Sequence, residues 1–181
     1  MGPLLTLVYM YEHDGLTKHA DESIGILTRL GDIDPLRRDY YMDLRSRFVW
    51  AKHVEAGLEP AVRKTATGLC DLGLTQVPDA VPLAFTATVD LSRNGLRDMA
   101  FVASLVLVQE LVLDDNQITH VPDEIAAMGR LRTLSLRRNR IASAQAAAAV
   151  KSLRSLRTLD LAGNPLPAED MKLTASWLRA E

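Results

Sequence analysis

At 181 residues and a formal net charge of −2, the chain has room for one domain, or a domain with a helical appendage, and lacks the basic surplus of a generic nucleic-acid binder. Hydrophobic residues make up 48% and aromatic residues 5%, so a sizeable core can be buried and must be aliphatic. The one cysteine, Cys70, excludes an internal disulfide and fits a reducing compartment, so the expected location is cytoplasmic.

In chain order, the apolar start from Pro3 to Tyr11 has no basic region before it and no small-residue cleavage site, so it is not read as a signal peptide. The longest apolar stretch, Met99 to Val108, is too short to span a bilayer. A Met-Gly start directly before helical sequence suggests a parent protein with more chain upstream. Residues 1–60 are expected to be a helical segment. Ile24, Ile26, Leu27 and Leu30 have helical spacing. Asp34 then suits an N-cap with Pro35 in the first turn. Leu36, Tyr40, Leu44, Phe48 and Ala51 follow as one stripe of a long helix ending near residue 56, with Gly57 as its stop. Arg37, Arg38, Asp39, Asp43, Arg45 and Arg47 lie between the stripe residues.

Residues 61–181 are expected to form a leucine-rich repeat solenoid of about five coils. The frame L-x-x-L-x-L-x-x-N-x-L recurs at Val108–Ile118, Leu131–Ile141 and Leu156–Leu166, and more weakly at Thr86–Leu96. A degenerate copy precedes them, with Leu72 where asparagine is expected. The asparagines stand at 94, 116, 139 and 164, that is 22, 23 and 25 apart. Each L-x-L predicts a short strand of a parallel sheet, and the asparagine turns the chain out of it. One coil cannot bury its own apolar face, so coils must stack. The class is therefore α/β, a solenoid with a short parallel sheet on its concave face, preceded by helices that would cover its open end. Val121–Met128 predicts a short helix or 3₁₀ turn, and Gln145–Leu153 an α-helical turn or two. Met171–Leu178 predicts a terminal capping helix.

The same frame names the outward residues of the concave face. They are Asp90, Ser92, Glu110, Val112, Asp114, Thr133, Ser135, Arg137, Thr158 and Asp160. Asp90, Val112, Ser135 and Asp160 should form one row, and Ser92, Asp114, Arg137 and Ala162 the next. Charged faces are by default only solvated; the concave shape is what makes this one a candidate protein-binding surface. A further set, Arg130, Arg132, Arg137, Arg138, Arg140, Arg154 and Arg157, repeats with the coil and could align against an acidic partner. On this facing, Leu134→Ala is expected to be costly and Asp114→Ala to barely alter stability.

Catalytic constellations are missing from the sequence. His13, His19, His53 and His120 have no metal-ligand spacing, and one cysteine cannot build a zinc cage. Gly68 and Gly73 are followed by Leu74-Thr75, which is no phosphate loop. The chain alone is expected to hold no catalytic, cofactor or metal residue.

The stretch Asp34-Pro35-Leu36-Arg37-Arg38-Asp39-Tyr40-Tyr41-Met42-Asp43-Leu44-Arg45-Ser46-Arg47-Phe48 narrows the choice. It resembles the end of the helical domain in the alpha subunit of Rab geranylgeranyltransferase, where such a segment leads through a degenerate coil into Val89-Asp90-Leu91-Ser92-Arg93-Asn94-Gly95-Leu96. Arg47 stands where the family carries lysine. The resemblance implies the C-terminal part of an alpha subunit, without the tryptophan-centred helical hairpins that wrap the beta subunit. It implies that zinc and geranylgeranyl diphosphate are held by the beta subunit, not by this chain. The implied partners are that beta subunit, a Rab escort protein and a Rab GTPase prenylated on C-terminal cysteines. Some fungal members lack the repeats, which implies that the chemistry does not need them. The alternative is a free-standing leucine-rich repeat adaptor, cytoskeletal or axonemal, and in either case no nucleic acid and no membrane span are expected.

Overall fold

A computed structural model describes residues 8, 18–52, 65–66, 69–77, 83, 86–143 and 145–167. The expected stop at Gly57, the terminal helix Met171–Leu178, His13 and His53 lie outside the described residues.

Helix α1 spans Ala20–Ile33, a 3₁₀ turn covers Pro35–Arg37, and α2 spans Arg38–Trp50. The two helices bury Ile26, Leu27, Tyr41, Leu44 and Phe48 against each other, with Val8 and Ala20. The single stripe expected from Leu36 to Ala51 is not what forms. Leu44, Phe48 and Ala51 are buried, but Leu36 is 98% exposed and Tyr40 47%. The reason lies in the turn at Pro35. Asp34 makes no side-chain cap and instead faces Arg37 across 3.9 Å. A 3₁₀ turn has three residues per turn rather than 3.6, so it swings Leu36 off the face that the α-helix then presents, and Tyr41 takes the inward place.

Five strands follow: β1 Thr65–Ala66, β2 Thr88–Asp90, β3 Glu110–Val112, β4 Thr133–Ser135 and β5 Thr158–Asp160. They pair in parallel in the order β1-β2-β3-β4-β5, so each coil adds one strand. Val89, Leu111 and Leu134 are fully buried at the strand centres and in register with one another. Leu91, Leu113 and Leu136, two residues on, point the same way and are fully buried. The returns are 3₁₀ turns at Ala100–Ser104 and Asp123–Ala127 and a short helix α3, Gln145–Val150.

The asparagines form a spine through the stack. Asn116 Oδ1 accepts from the Leu96 N–H of the preceding coil at 3.0 Å. Its Nδ2 donates back to Leu91 O at 3.0 Å and to Leu113 O and Asp114 O of its own coil. Asn139 repeats the pattern on Ile118, Leu113 and Leu136. Asn164 repeats it on Ile141, Leu136 and Leu161. Asn94 closes the first coil by accepting from Leu72 N–H and Leu74 N–H. Backbone groups that no ladder reaches are thereby satisfied inside the core. Before each asparagine the chain turns through a positive φ, at Arg93, Asp115, Arg138 and Gly163.

Helix α2 sits on the first coil. Val49 joins the solenoid core with Leu69 and Leu74, and Ile24 packs against both clusters. The helical pair thus covers the end of the stack, as the repeat frame requires.

Candidate functional site

Asp90, Val112, Ser135 and Asp160 stand opposite one another on successive strands. Thr65, Thr88, Glu110, Thr133 and Thr158 form another row. Backbone bonds from Arg93 N–H to Asp114 O and from Asp115 N–H to Arg137 O carry the third row past the strand ends.

Much of the polar capacity of this face is used within it. Asp114 Oδ1 accepts from Ser135 Oγ at 2.6 Å and from Arg137 N–H at 3.0 Å. Arg137 Nη1 reaches Asp160 Oδ2 at 3.2 Å. Asp90 and Asp160 each accept the backbone N–H two residues on, from Ser92 and Ala162, an arrangement that tightens the exit from the strand. Among the described residues, Glu110 accepts a side-chain hydrogen bond only from Thr88 Oγ1, at 3.5 Å. The face is thus stiff and patterned, with Val112, Thr133 and Thr158 presented between braced charges.

Beside it runs a charge ladder that the repeat frame alone does not reveal. The left-handed residues Asp71, Arg93, Asp115 and Arg138 alternate in sign up the stack. Arg138 Nε and Nη2 donate to the two oxygens of Asp115 at 2.5 and 2.6 Å. Gly163 ends the ladder, because a Cβ there would lie 2.9 Å from Arg138 Cγ. The Arg138 hydrogen bond holds the Asp115 carboxyl below its ordinary value; burial opposes this, and the charges of Arg138, Arg93 and Arg137 lower it further. A depressed carboxyl stabilises the fold above its unfolded value, near 3.9, and that contribution disappears as pH falls through the folded value. Because the pair is exposed the contribution is small. By carboxyl-resolved NMR, Asp115 should titrate below an ordinary aspartate and return toward it in Arg138→Gln.

The helix–solenoid junction gathers the segment that carries the family resemblance. Arg45 Nη1 donates to Leu72 O and Gly73 O at 3.3 Å each, and Nε donates to Thr28 Oγ1. Burial lowers the pKa of its guanidinium, yet those acceptors hold it in place. Thr75 N–H donates to Ser46 Oγ at 3.0 Å, and Thr75 Oγ1 donates to Asp43 Oδ1 at 2.8 Å. Gln76 Nε2 donates to Asp43 O, and Arg97 makes a two-point ion pair with Asp39. Asp43, Arg45 and Ser46 are therefore clamps onto the first coil, and Asp39 is tied to Arg97 in the next one. Asp39, Asp43 and Ser46 sit at i, i+4 and i+7, a helical spacing that could have marked them as one face. Arg45→Met should lower stability by about 1–3 kcal/mol, since it strips a charged donor from two carbonyls and a hydroxyl. Urea unfolding checks this, and an unchanged midpoint would remove Arg45 from the junction.

Among the described residues no group of three or more His, Cys, Asp or Glu could hold a metal. Cys70 is half-buried, with Arg93 Nη2 3.8 Å from its sulfur. His120 touches only Thr119 among the described contacts. Among the described residues no helix is long and apolar enough to cross a membrane.

The fold is a leucine-rich repeat solenoid with a helical segment in front. The Leucine rich repeat family model matches residues 106–166. The fold is also seen in a leucine-rich repeat protein of Leptospira interrogans, with TM-score 0.50 and 22% identity over 59% of this chain and 27% of that one. The APL1 leucine-rich repeat domain has TM-score 0.50 and 22% identity over 60% of this chain and 30% of its own. In sequence, the chain is similar to the alpha subunit of type-2 geranylgeranyl transferase. It is 30% identical to the Bos taurus protein over 164 residues, 90% of this chain and 28% of that one. It is 30% identical to the Rattus norvegicus protein over 168 residues, 92% of this chain and 29% of that one, and 29% identical to the Homo sapiens protein over 170 residues. The chain thus spans less than a third of the length of these relatives. The resemblance carried by Asp34–Phe48 extends through the repeats.

Proposed function

We propose that the chain is the non-catalytic leucine-rich repeat interaction region of a Rab geranylgeranyltransferase alpha subunit. It would belong to a cytoplasmic complex that prenylates C-terminal cysteines of Rab GTPases. The observation that carries this reading is the junction. Within the Asp43-Leu44-Arg45-Ser46 run that carries the resemblance, Asp43, Arg45 and Ser46 bind α2 to the first coil, while Leu44 packs into the core between the two helices. A segment kept for that purpose joins a helical domain to repeats, which is the order of the alpha subunit.

The exposed apolar corner of Ile33, Leu36 and Tyr40 supports it. Exposed apolar patches on a helical pair are suited to contact further protein, which here is the rest of a helical domain or a beta subunit. On this reading the beta subunit supplies zinc and binds geranylgeranyl diphosphate, and an escort protein presents the Rab substrate. The face formed by Val112 and Ser135 in one row and Thr133 and Thr158 in the next, framed by Asp90, Ser92, Glu110, Asp114, Arg137 and Asp160, is the one we assign to a protein partner.

The test is a transfer assay with a Rab substrate, escort protein, geranylgeranyl diphosphate and zinc. The chain alone should transfer nothing. Measurable transfer would overturn the non-catalytic reading.

A further inference from the structure

Six of the repeat arginines separate into two sets once the coils are stacked. Arg137 and Arg138 are engaged by Asp160 and Asp115. Arg130, Arg132, Arg154 and Arg157 are exposed. Among the described residues none of these four makes an ion pair or a side-chain hydrogen bond.

Their placement is not scattered. Arg132 N–H donates to Gln109 O and Arg157 N–H to Arg132 O, each at 2.8 Å, immediately before β4 and β5. Gln109, Arg132 and Arg157 therefore form one column along the edge where the chain enters the sheet, about 4.8 Å apart per step. An open pocket there is lined by Gln109, Arg130, Arg132 and Ser155. Ser155 Oγ donates to Gly129 O at 2.8 Å and ties the two neighbouring turns together. In the equivalent turn of the preceding coil Val106 is 45% exposed. The acidic residue next to the column, Glu110, turns its carboxylate to Thr88 in the earlier coil. The entry edge is thus basic and uncompensated, with an apolar end, while acids and arginines on the exit edge neutralise one another.

We propose that this entry edge docks an acidic polypeptide segment. Guanidinium groups bind carboxylates in a two-point geometry, and adjacent coils hold Arg132 and Arg157 close enough for one extended segment to meet both. Val106 receives an apolar residue at the end of that segment. A phosphate polymer fits less well. Tight binding to nucleic acid draws on about 6–10 phosphate contacts, whereas this edge offers four arginines in a chain of net charge −2. The inference is independent of the prenyltransferase reading, since the edge belongs to the repeats alone.

The experiment is fluorescence anisotropy with a labelled decaglutamate peptide and the whole chain at low salt. Wild type should bind, and the double variant Arg132→Gln/Arg157→Gln should bind at least tenfold more weakly. The control Arg29→Gln/Arg140→Gln carries the same charge change elsewhere and should bind like wild type. Thermal unfolding followed by circular dichroism confirms that each variant is folded. An equal loss in both double variants, or no binding by wild type, would overturn the proposal. So would Arg132- and Arg157-dependent capture on phosphatidylserine vesicles in the absence of decaglutamate binding, which would assign the edge to lipid.

Discussion

Asn116→Asp should be among the most destabilising single substitutions in the repeats, costing about 3–5 kcal/mol at neutral pH, as an uncompensated buried charge does. Asn116 is 6% exposed, and its amide nitrogen donates to Leu91 O, Leu113 O and Asp114 O. The substitution changes almost nothing in shape. It replaces a donor by an acceptor facing three carbonyl oxygens. Burial and those carbonyls disfavour the ionised form, so the folded pKa of the new carboxyl lies above its unfolded value of about 3.9. The folded state then holds the proton more tightly than the unfolded state. The variant accordingly regains stability as pH falls through the folded pKa, and the recovery is complete below the unfolded one. Urea unfolding at pH 7 and at pH 4–5 reads this directly. The midpoint should fall well below wild type at pH 7, and the gap should narrow on acidification. A gap that does not change with pH would contradict the donor role.

Leu134→Ala is the second large effect, with an expected loss of about 2–5 kcal/mol. Leu134 is fully buried at the centre of β4, in register with Leu111 and Leu159. Truncation leaves a cavity between coils whose backbones are tied by the asparagine spine, so collapse into it is restricted. Asp114→Ala is the informative companion. The sequence frame alone predicts almost no loss there. The geometry revises that to about 1–3 kcal/mol, because Ser135 Oγ and Arg137 N–H both lose their acceptor. Leu134→Ala should still be the more damaging of the two, and equal losses would contradict the assigned facing.

The solenoid was legible because its signal is periodic. Asparagines 22 to 25 residues apart in a leucine frame dictate which residues meet on successive strands, and the row of Asp90, Val112, Ser135 and Asp160 follows by counting. What escaped counting depends on local rotation or on side-chain reach. The phase of α2 turned on three residues of 3₁₀ helix at Pro35, which moved Leu36 and Tyr40 outward. The seven repeat arginines look alike in sequence. Arg138 pairs with Asp115 because both occupy left-handed turns one coil apart, while Arg132 stands at a strand entry with no acid across from it. Asp43, Arg45 and Ser46 read as ordinary solvated helix residues until the first coil is placed against them.

On the proposed reading, these repeats are the interaction region of a prenyltransferase alpha subunit. Affinity purification of the full-length natural protein from its own cells, followed by mass spectrometry, tests it most directly. A prenyltransferase beta subunit should be recovered in near-stoichiometric amount, and tryptophan-bearing helical hairpins should be encoded upstream of residue 1. Recovery without a beta subunit, or a natural protein lacking those hairpins and found with cytoskeletal or axonemal partners, would contradict it.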